Sequence, residues 1–157
     1  MKTTLCVFLL LACTSSGLAA NKSRESQSDD IYEVVFRYQS EFRGTRPGDT
    51  NLVYFLSVGD KWGDPSNELM RRFSGCKPEV RKFSASHLSE DHTPRDRKTG
   101  ERGYHFSVGK IRWISGTKVK VGSSCYKGYL NAIGEVFTLK KKNGKWTVDE
   151  AQSQWIS

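Results

Sequence analysis

Long apolar runs are scarce in this chain of 157 residues. The longest, residues 5–12, follows a single lysine and precedes a stretch of small residues that ends at Ala20. A helix that crosses a bilayer needs about 20 apolar residues, so this run is too short to span one. Its layout is instead typical of a secretory signal peptide. We therefore predict a signal peptide over residues 1–20 and a secreted or periplasmic mature chain without a transmembrane span.

The leader has a second interpretation. Its residues LLAC, which end at Cys13, resemble a bacterial lipobox, in which the cysteine is lipidated and becomes the mature N-terminus. The triplet Asn-Lys-Ser that begins at Asn21 is a glycosylation acceptor if the source is eukaryotic. A lipid anchor through Cys13 and a glycan on Asn21 therefore stand as alternatives that the sequence leaves open.

Cysteine is equally sparse. Cys6 and Cys13 belong to the leader, so the mature chain keeps Cys76 and Cys125. Neither has a CxxC neighbour, which disfavours a metal site. Two cysteines in an oxidising compartment indicate one disulfide, and we predict that Cys76 and Cys125 form it. It would close a loop of roughly 50 residues and stabilise the fold by about 4 kcal/mol in the chain-entropy model, with two buried free thiols as the alternative.

Several catalytic signatures are missing as well. The serines have no G-x-S-x-G context, and no glycine-rich loop that would cradle a phosphate precedes a helix. The chain contains neither an internal repeat nor a low-complexity segment. These absences disfavour a serine hydrolase and a phosphate-binding domain. We predict a single domain over residues 30–157, with no bound metal and no cofactor.

A strong helical pattern does stand near the start of the mature chain. Polar, aperiodic residues 21–29 predict a flexible lead-in before it. Asp30 and Glu33 form a start that resembles a capping box, and Gly44 is a natural stop. The apolar residues that recur on one helical face are Ile31, Val34, Val35, Tyr38 and Phe42. We therefore predict an amphipathic helix over residues 30–43.

The middle of the chain predicts shorter elements. Residues 51–58, NLVYFLSV, are a nearly unbroken apolar run, which suits a strand buried on both faces. A second helix is expected with Asp64 as its N-cap and Gly75 at its end. A weaker strand signal follows in residues 79–86. Residues 89–106 are the densest run of charge, with basic and acidic side chains interleaved, and they predict a long connecting loop.

The next strand signal changes phase at Gly109. One extra residue there, a β-bulge, would keep the apolar side chains before and after it on the same face. These side chains are Phe106, Val108, Ile111 and Trp113. If residues 115–117 form the following hairpin loop, Trp113 lies opposite Val119. The pattern therefore predicts a strongly curved sheet.

The last hairpin is marked by Asn143–Gly144, a strong type I′ turn signal. A two-residue loop there pairs Leu139 with Val148 and Lys141 with Trp146. The lysines that then point to the opposite, solvated face are Lys140, Lys142 and Lys145. Ordinary strand patterning accounts for this lysine cluster, and a binding patch is the alternative.

Early helices followed by hairpin-linked strands indicate an α+β fold, in which a curved antiparallel sheet packs on the N-terminal helices. With its closing hairpin FTLKKKNGKWTV, this order resembles the nuclear-transport-factor-2-like (NTF2-like) or cystatin-like superfamily. The block TGERGYHFSVGKIRWIS also resembles a segment of uncharacterised small secreted proteins. The resemblance implies a cone-shaped roll with a pocket between sheet and helices. It does not imply protease inhibition, because the Q-x-V-x-G loop of cystatins has no match here.

The candidate binding residues are basic or aromatic. A formal net charge of +8 favours an acidic polymer or surface as a partner. Guanidinium groups of the charged segment can grip phosphate, sulfate or carboxylate, although interleaved acids nearly neutralise that segment. The residues that we single out for ligand or partner binding are Arg95, Arg97, Lys98, Arg102, His105, Tyr126 and Tyr129.

Two further hypotheses use other residues. An isomerase or cyclase, as in some relatives of the resembled superfamily, needs a carboxylate base and an oxyanion donor in its pocket. The candidates are Glu79 and Glu135 for the base and Tyr54, Tyr126 and Tyr129 for the donor. A metal site would use His87, Asp91, His92 and His105, but this spacing matches no closed motif. We therefore predict a non-enzymatic protein that binds a small ligand or a protein partner, with a pocket enzyme and a cationic binder of acidic surfaces as alternatives.

Overall fold

The computed structural model describes residues 15–44 and 51–157. Cys13 and residues 1–14 of the predicted signal peptide lie outside those ranges. The described chain has a mixed α/β fold with one large sheet, one two-stranded sheet and few helices. The elements are α1 (Ser15–Arg43), β1 (Val53–Val58), α2 (Asn67–Arg71), β2 (Glu79–Lys82), a 3₁₀ turn (Phe83–Ala85), β3 (Ser86–Leu88), β4 (Pro94–Asp96), β5 (Gly103–Val108), β6 (Arg112–Ser115), β7 (Lys118–Gly128), β8 (Asn131–Lys142) and β9 (Lys145–Ile156).

The strand order in the large sheet is β2-β1-β5-β7-β8-β9, and β6 follows β5 along the same edge of β7. Strand β1 is parallel to both β2 and β5, whereas the other neighbours in this sheet are antiparallel. The sheet is therefore mixed, which corrects the predicted antiparallel sheet. A nearly continuous apolar strand is typical of parallel pairing, because parallel strands are covered on both faces.

Helix α1 is longer than predicted. It includes residues 21–29, for which the polar sequence predicts a flexible lead-in, and no proline or glycine interrupts the chain between residues 18 and 43. It ends at Arg43, before the predicted stop at Gly44. A side chain at Gly44 would collide with the Ser40 carbonyl oxygen, which explains why glycine suits this position. The side chain of Phe42 lies outside what the structure describes.

Aromatic rings fill the space between α1 and the sheet. Phe36 of α1 packs edge-to-face on Phe106 of β5, with 5.4 Å between ring centroids. Tyr38 of α1 packs in the same way on Phe137 of β8 at 5.5 Å. Ile31 and Val35 are fully buried beside them. The part of the fold in which the superfamily resemblance implies a pocket therefore holds packed side chains.

Helix α2 begins two residues later than the predicted N-cap implies. Ser66, not Asp64, is its N-cap, and its hydroxyl accepts a hydrogen bond from the Leu69 amide at 2.9 Å. Leu69 is completely buried, as the predicted inward face requires. Within the described residues, no helix has both the length and the apolar character needed to cross a membrane.

The predicted irregularity at Gly109 is present as a break between β5 and β6. The Gly109 amide donates to the Gly122 carbonyl of β7 at 2.8 Å, and regular pairing with β7 resumes at Arg112. The apolar residues on both sides of the break pack in one core cluster, as predicted; they are Phe106, Val108, Ile111 and Trp113.

Both predicted hairpin registers are confirmed. Trp113 lies opposite Val119, although the loop is shorter than predicted because Ser115 already pairs with Lys118. In the last hairpin, Leu139 pairs with Val148 and Lys141 pairs with Trp146, as the Asn-Gly turn indicates.

The predicted connecting loop over residues 89–106 is wrong in part, because this segment is held in a β3–β4 hairpin and the start of β5. Asp96 is the anchor: its carboxylate accepts hydrogen bonds from the amides of Lys98 and Thr99 and binds the Arg81 guanidinium at 2.8 Å. Burial by itself raises the pKa of Asp96, but Arg81 and these amides outweigh it and hold the pKa well below its usual range. The interleaved charges of this segment therefore stabilise a turn.

The predicted disulfide is absent, since Cys76 and Cys125 are both free thiols. Cys125 is buried in β7, whereas Cys76 precedes β2, and both β1 and β5 lie between those strands. Strands β2 and β7 are thus three spacings of about 4.8 Å apart, which is more than the Cα separation of about 7 Å that a disulfide can bridge.

Candidate functional site

The face of the large sheet that points away from α1 carries the candidate site. In β5, Tyr104, Phe106 and Val108 belong to the core beneath α1, so His105 between them points to the opposite side. We term that side the helix-free face. The β3–β4 hairpin stands over it and is tied to β7 by the Tyr126 hydroxyl, which donates to the His92 carbonyl at 2.8 Å.

A groove of about 490 Å³ lies between the helix-free face and the β3–β4 hairpin. Small-molecule sites usually have volumes of about 300–1,000 Å³, so the groove has room for a ligand. Its lining residues are mostly aromatic or small; they are Trp62, Phe83, Ser84, Ser86, His87, Leu88, Pro94, Arg97, His105, Ser124, Tyr126, Ala132 and Trp155. We term it the aromatic groove.

His105 lies among aromatic rings at the base of the groove. Phe83 stacks on its imidazole with 4.2 Å between centroids and 22° between planes. Trp62 meets the same imidazole edge-on at 5.8 Å, and it also meets Phe83 at 6.2 Å. Trp62 keeps 58% of its surface exposed. A planar apolar group in the groove could therefore contact the exposed ring of Trp62, which is already packed against Phe83 and His105.

The chemistry of His105 is that of a neutral imidazole. Burial lowers its pKa to about 4, so the ring is uncharged at neutral pH. Its Nε2 is 2.8 Å from the Ser57 hydroxyl, so Nδ1 is the ring nitrogen that takes no part in that hydrogen bond. Ser57 is fully buried, so its hydroxyl is not placed to attack a substrate. The pair therefore suits hydrogen bonding to a ligand better than nucleophilic catalysis.

Trp155 of β9 forms one wall of the groove by lying over a glycine. Gly134 of β8 is its cross-strand neighbour, and a Cβ placed on Gly134 would overlap the indole ring, within 2.8 Å of Cζ2. Half of the Trp155 surface stays exposed. The absence of a side chain at Gly134 therefore sets the position of this wall.

Arg97 gives the groove its positive charge. Its Nε donates to the Ser84 carbonyl at 3.1 Å, and the residue is exposed at the groove lining. Among the described residues that line the groove, none is aspartate or glutamate. An anionic group on a ligand would thus meet an arginine and no opposing carboxylate on the lining.

The structure brings together only some of the predicted binding residues. Arg97, His105 and Tyr126 line the aromatic groove. Arg95 donates to the Gly100 carbonyl within its own hairpin, and Tyr129 is 71% exposed at the end of β7. The other predicted residues, Lys98 and Arg102, are exposed and lie outside the groove lining.

The predicted catalytic acids have structural partners. Glu135 is 6% exposed and accepts hydrogen bonds from Arg43 at 2.9 Å and from Gln39 at 3.3 Å, which ties β8 to α1. Glu79 is exposed and forms an ion pair with Arg81 at 2.7 Å. Tyr54 lies in the core beneath α1.

The candidate metal ligands are dispersed. His87 and His105 line the groove, whereas Asp91 and His92 belong to the β3–β4 turn. Within residues 15–44 and 51–157, no three His, Cys, Asp or Glu side chains are grouped to hold a metal ion.

The three aromatic walls of the groove, Trp62, Phe83 and Trp155, are not among the residues predicted from the sequence. Trp62 lies outside the strands, and Phe83 lies in a 3₁₀ turn where the sequence predicted a strand over residues 79–86, so alternation places neither ring. Trp155 did offer a signal, because an exposed tryptophan opposite a glycine in a neighbouring strand indicates cross-strand packing. The sequence pattern does not show that β9 extends as far as Trp155, so this pairing with Gly134 was not predicted.

A comparison of the chain with known protein families, with curated proteins and with solved structures gives no match. Functional inference therefore depends on the geometry of the groove and on the charges around it.

Proposed function

We propose that this protein is a non-enzymatic binding protein whose aromatic groove takes a small ligand with a planar apolar body and one anionic group. The observation that carries the proposal is the combination of Trp62, Phe83 and Trp155 with Arg97, the one arginine or lysine among the described lining residues, in a groove of about 490 Å³. Apolar walls supply affinity, and a few polar groups set the orientation of a ligand.

Each part of such a ligand has a counterpart in the groove. The planar body would stack on Trp62 and Trp155, which keep about half of their surface exposed. The anionic group would pair with the Arg97 guanidinium, which can bind a carboxylate or sulfonate through two parallel hydrogen bonds. The neutral His105 ring would add one uncharged hydrogen bond.

The proposed site differs in place from the pocket of the resembled superfamily. A roll of the nuclear-transport-factor-2-like or cystatin-like kind stays our proposal for the fold, and the packing of Phe36 against Phe106 supports it. The parallel pairing of β1 departs from the antiparallel sheet expected of that roll. We accordingly place binding on the helix-free face, and we keep export of the mature chain as part of the proposal.

Anilinonaphthalene sulfonate is a suitable probe, because it joins a planar aromatic body to one sulfonate. We expect saturable binding with one site per chain, measured by the rise in probe fluorescence. Arg97→Gln should weaken binding about fivefold, since an exposed ion pair contributes about 1 kcal/mol at most. Trp62→Ala should weaken it about tenfold through the loss of stacking.

Arg102→Gln is the matched control for Arg97→Gln. It removes the same charge from an exposed residue outside the groove lining and should leave the affinity unchanged. Equal affinities for the Arg97→Gln and Arg102→Gln variants, or probe binding with no saturation, would reject the proposed site.

Gly134→Ala provides a second test of the same groove. The added methyl group must displace the Trp155 ring, so we expect a severalfold loss of affinity for the probe. The free energy of unfolding should change by less than about 1 kcal/mol, because a half-exposed side chain can swing away. Gly122→Ala on the neighbouring strand is the control, since a Cβ there meets nothing within 4 Å. If both variants bind the probe as the parent does, Trp155 is not a wall of the site.

A further inference from the structure

Six cations share one end of the helix-free face, away from the aromatic groove. Val119 and Leu139 point into the core, so their strand neighbours point outward. The outward cations of β6, β7, β8 and β9 are Arg112, Lys118, Lys120, Lys140, Lys142 and Lys145, and we term this set the lysine face.

The cations of the lysine face lie directly opposite one another. The cross-strand pairs are Arg112 with Lys120, Lys118 with Lys140, and Lys142 with Lys145. Like charges directly opposite in a sheet are destabilising, and cross-strand pairs are normally complementary. The fold therefore retains three unfavourable pairs on one surface.

Few carboxylates offset this charge. Asp149 forms an ion pair with Lys140 at 2.8 Å, and Glu150 lies opposite Thr138 on the same face. A hydrogen bond from Lys140 lowers the pKa of Asp149, and the charges of Lys142 and Lys118 lower it further. One carboxylate thus lies within the field of three lysines. Local conflicts of this kind are expected where a surface serves a function, and a partner with dense negative charge would relieve them.

The arrangement of the cations indicates the kind of partner. They spread over four strands in two dimensions, so a single linear polyanion would meet only one row of them. The nearby tryptophans Trp113 and Trp146 pack in or against the core, which removes the stacking platform that single-stranded nucleic acids use. Ile114, 48% exposed, lies at the tip of the β6–β7 hairpin beside the face. A planar anionic surface can meet all six cations together.

We infer that the lysine face docks this protein on a membrane surface rich in anionic lipid. The inference is independent of the aromatic groove, which lies at the other end of the sheet face and is lined by other residues. Clusters of four to eight lysines and arginines are a known feature of proteins that bind anionic lipid. Each cation near such a surface strengthens binding about fivefold.

The test is sedimentation of the full chain with vesicles. The lipid is phosphatidylcholine alone or phosphatidylcholine mixed with phosphatidylglycerol. We expect binding to the mixed vesicles only, and we expect it to weaken as salt rises. Lys118→Gln/Lys140→Gln should weaken binding about 30-fold, since each lysine near an anionic surface contributes about fivefold.

The control variant is Lys77→Gln/Lys98→Gln, which removes the same charge from exposed residues outside the lysine face. It should bind the mixed vesicles as the parent does. Thermal unfolding should show that Lys118→Gln/Lys140→Gln is folded with a melting temperature close to that of the parent, because relief of the Lys118–Lys140 opposition offsets loss of the Lys140–Asp149 ion pair.

Three results would overturn the inference. The first is equal sedimentation with neutral and mixed vesicles. The second is equal loss of binding in both double variants, which would show that only net charge matters. The third is salt-sensitive binding to a sulfated polysaccharide or single-stranded DNA with none to the vesicles, which would assign the face to a polymer.

Discussion

Phe106→Ala is expected to lower the free energy of unfolding by about 3–5 kcal/mol, because it opens a large cavity in a close-packed core. Phe106 is fully buried and contacts the rings of Phe36 on α1, at 5.4 Å, and Tyr54 on β1, at 4.9 Å. It therefore joins the helix to two strands of the sheet. Urea unfolding followed by far-ultraviolet circular dichroism measures the change.

Phe83→Ala is the contrasting variant. Phe83 is half-buried and stacks on His105 in the aromatic groove, outside the core beneath α1. We expect it to weaken binding of anilinonaphthalene sulfonate and to destabilise the fold clearly less than Phe106→Ala. If the two variants lost equal stability, the separation between a core beneath α1 and a site on the opposite face would be wrong.

Acidification from pH 7 to pH 4 should remove stability on the order of 3 kcal/mol through His105 alone. Burial lowers the pKa of this histidine from 6.5 to about 4 in the folded chain. At a pH between these two values, this histidine is mostly protonated in the unfolded chain and mostly neutral in the folded chain. The contribution is therefore complete above pH 6.5, and it is lost as the pH falls towards 4. Urea unfolding at a series of pH values gives the slope.

His105→Gln isolates this contribution, because glutamine does not titrate in this range and its amide can still bond Ser57. The variant should show a much shallower loss of stability between pH 6.5 and pH 4. His87→Gln, at an exposed histidine that also lines the groove, should keep the steep slope of the parent. An unchanged slope in the His105→Gln variant would show that the imidazole is not held neutral by burial.

Local patterns predicted much of the helix and the hairpins. The apolar spacing of Ile31 and Val35 in α1 gives a buried face because a helix repeats every few residues. The Asn143–Gly144 turn predicts the register of β8 and β9, since a two-residue loop leaves one way to pair the strands. Gly109 marks the break between β5 and β6 because the alternation changes phase there.

Long-range arrangements were harder to predict. The parallel pairing of β1 with β2 depends on a crossover through α2, and its parallel pairing with β5 depends on the longer connection that includes β2 and the β3–β4 hairpin. The residue pattern within one strand is the same for either direction of pairing. The disulfide prediction failed for a related reason, because Cys76 and Cys125 could be placed only once the order of the strands was known.

The candidate site was the least predictable part. Trp62, Phe83 and Trp155 come from a loop, a 3₁₀ turn and the last strand, and only the tertiary fold brings them together. The predicted residues that reach the groove, Arg97, His105 and Tyr126, lie on segments that cross or cover the helix-free face. Arg95, Lys98 and Arg102 were predicted from charge density alone. Arg95 donates a hydrogen bond within its own hairpin, and Lys98 and Arg102 are exposed to solvent.

The four tryptophans of the chain fall into two pairs with different surroundings. Trp113 and Trp146 meet edge-on at 5.8 Å against the core beneath α1, while Trp62 and Trp155 stand half-exposed at the groove. Intrinsic fluorescence therefore has two sources in one molecule. We expect a water-borne quencher to reach the groove pair more readily, because Trp146 is 5% exposed and Trp113 is partly buried against the core. A ligand in the proposed site would then protect Trp62 and Trp155 from the quencher, while the emission of the other pair follows folding.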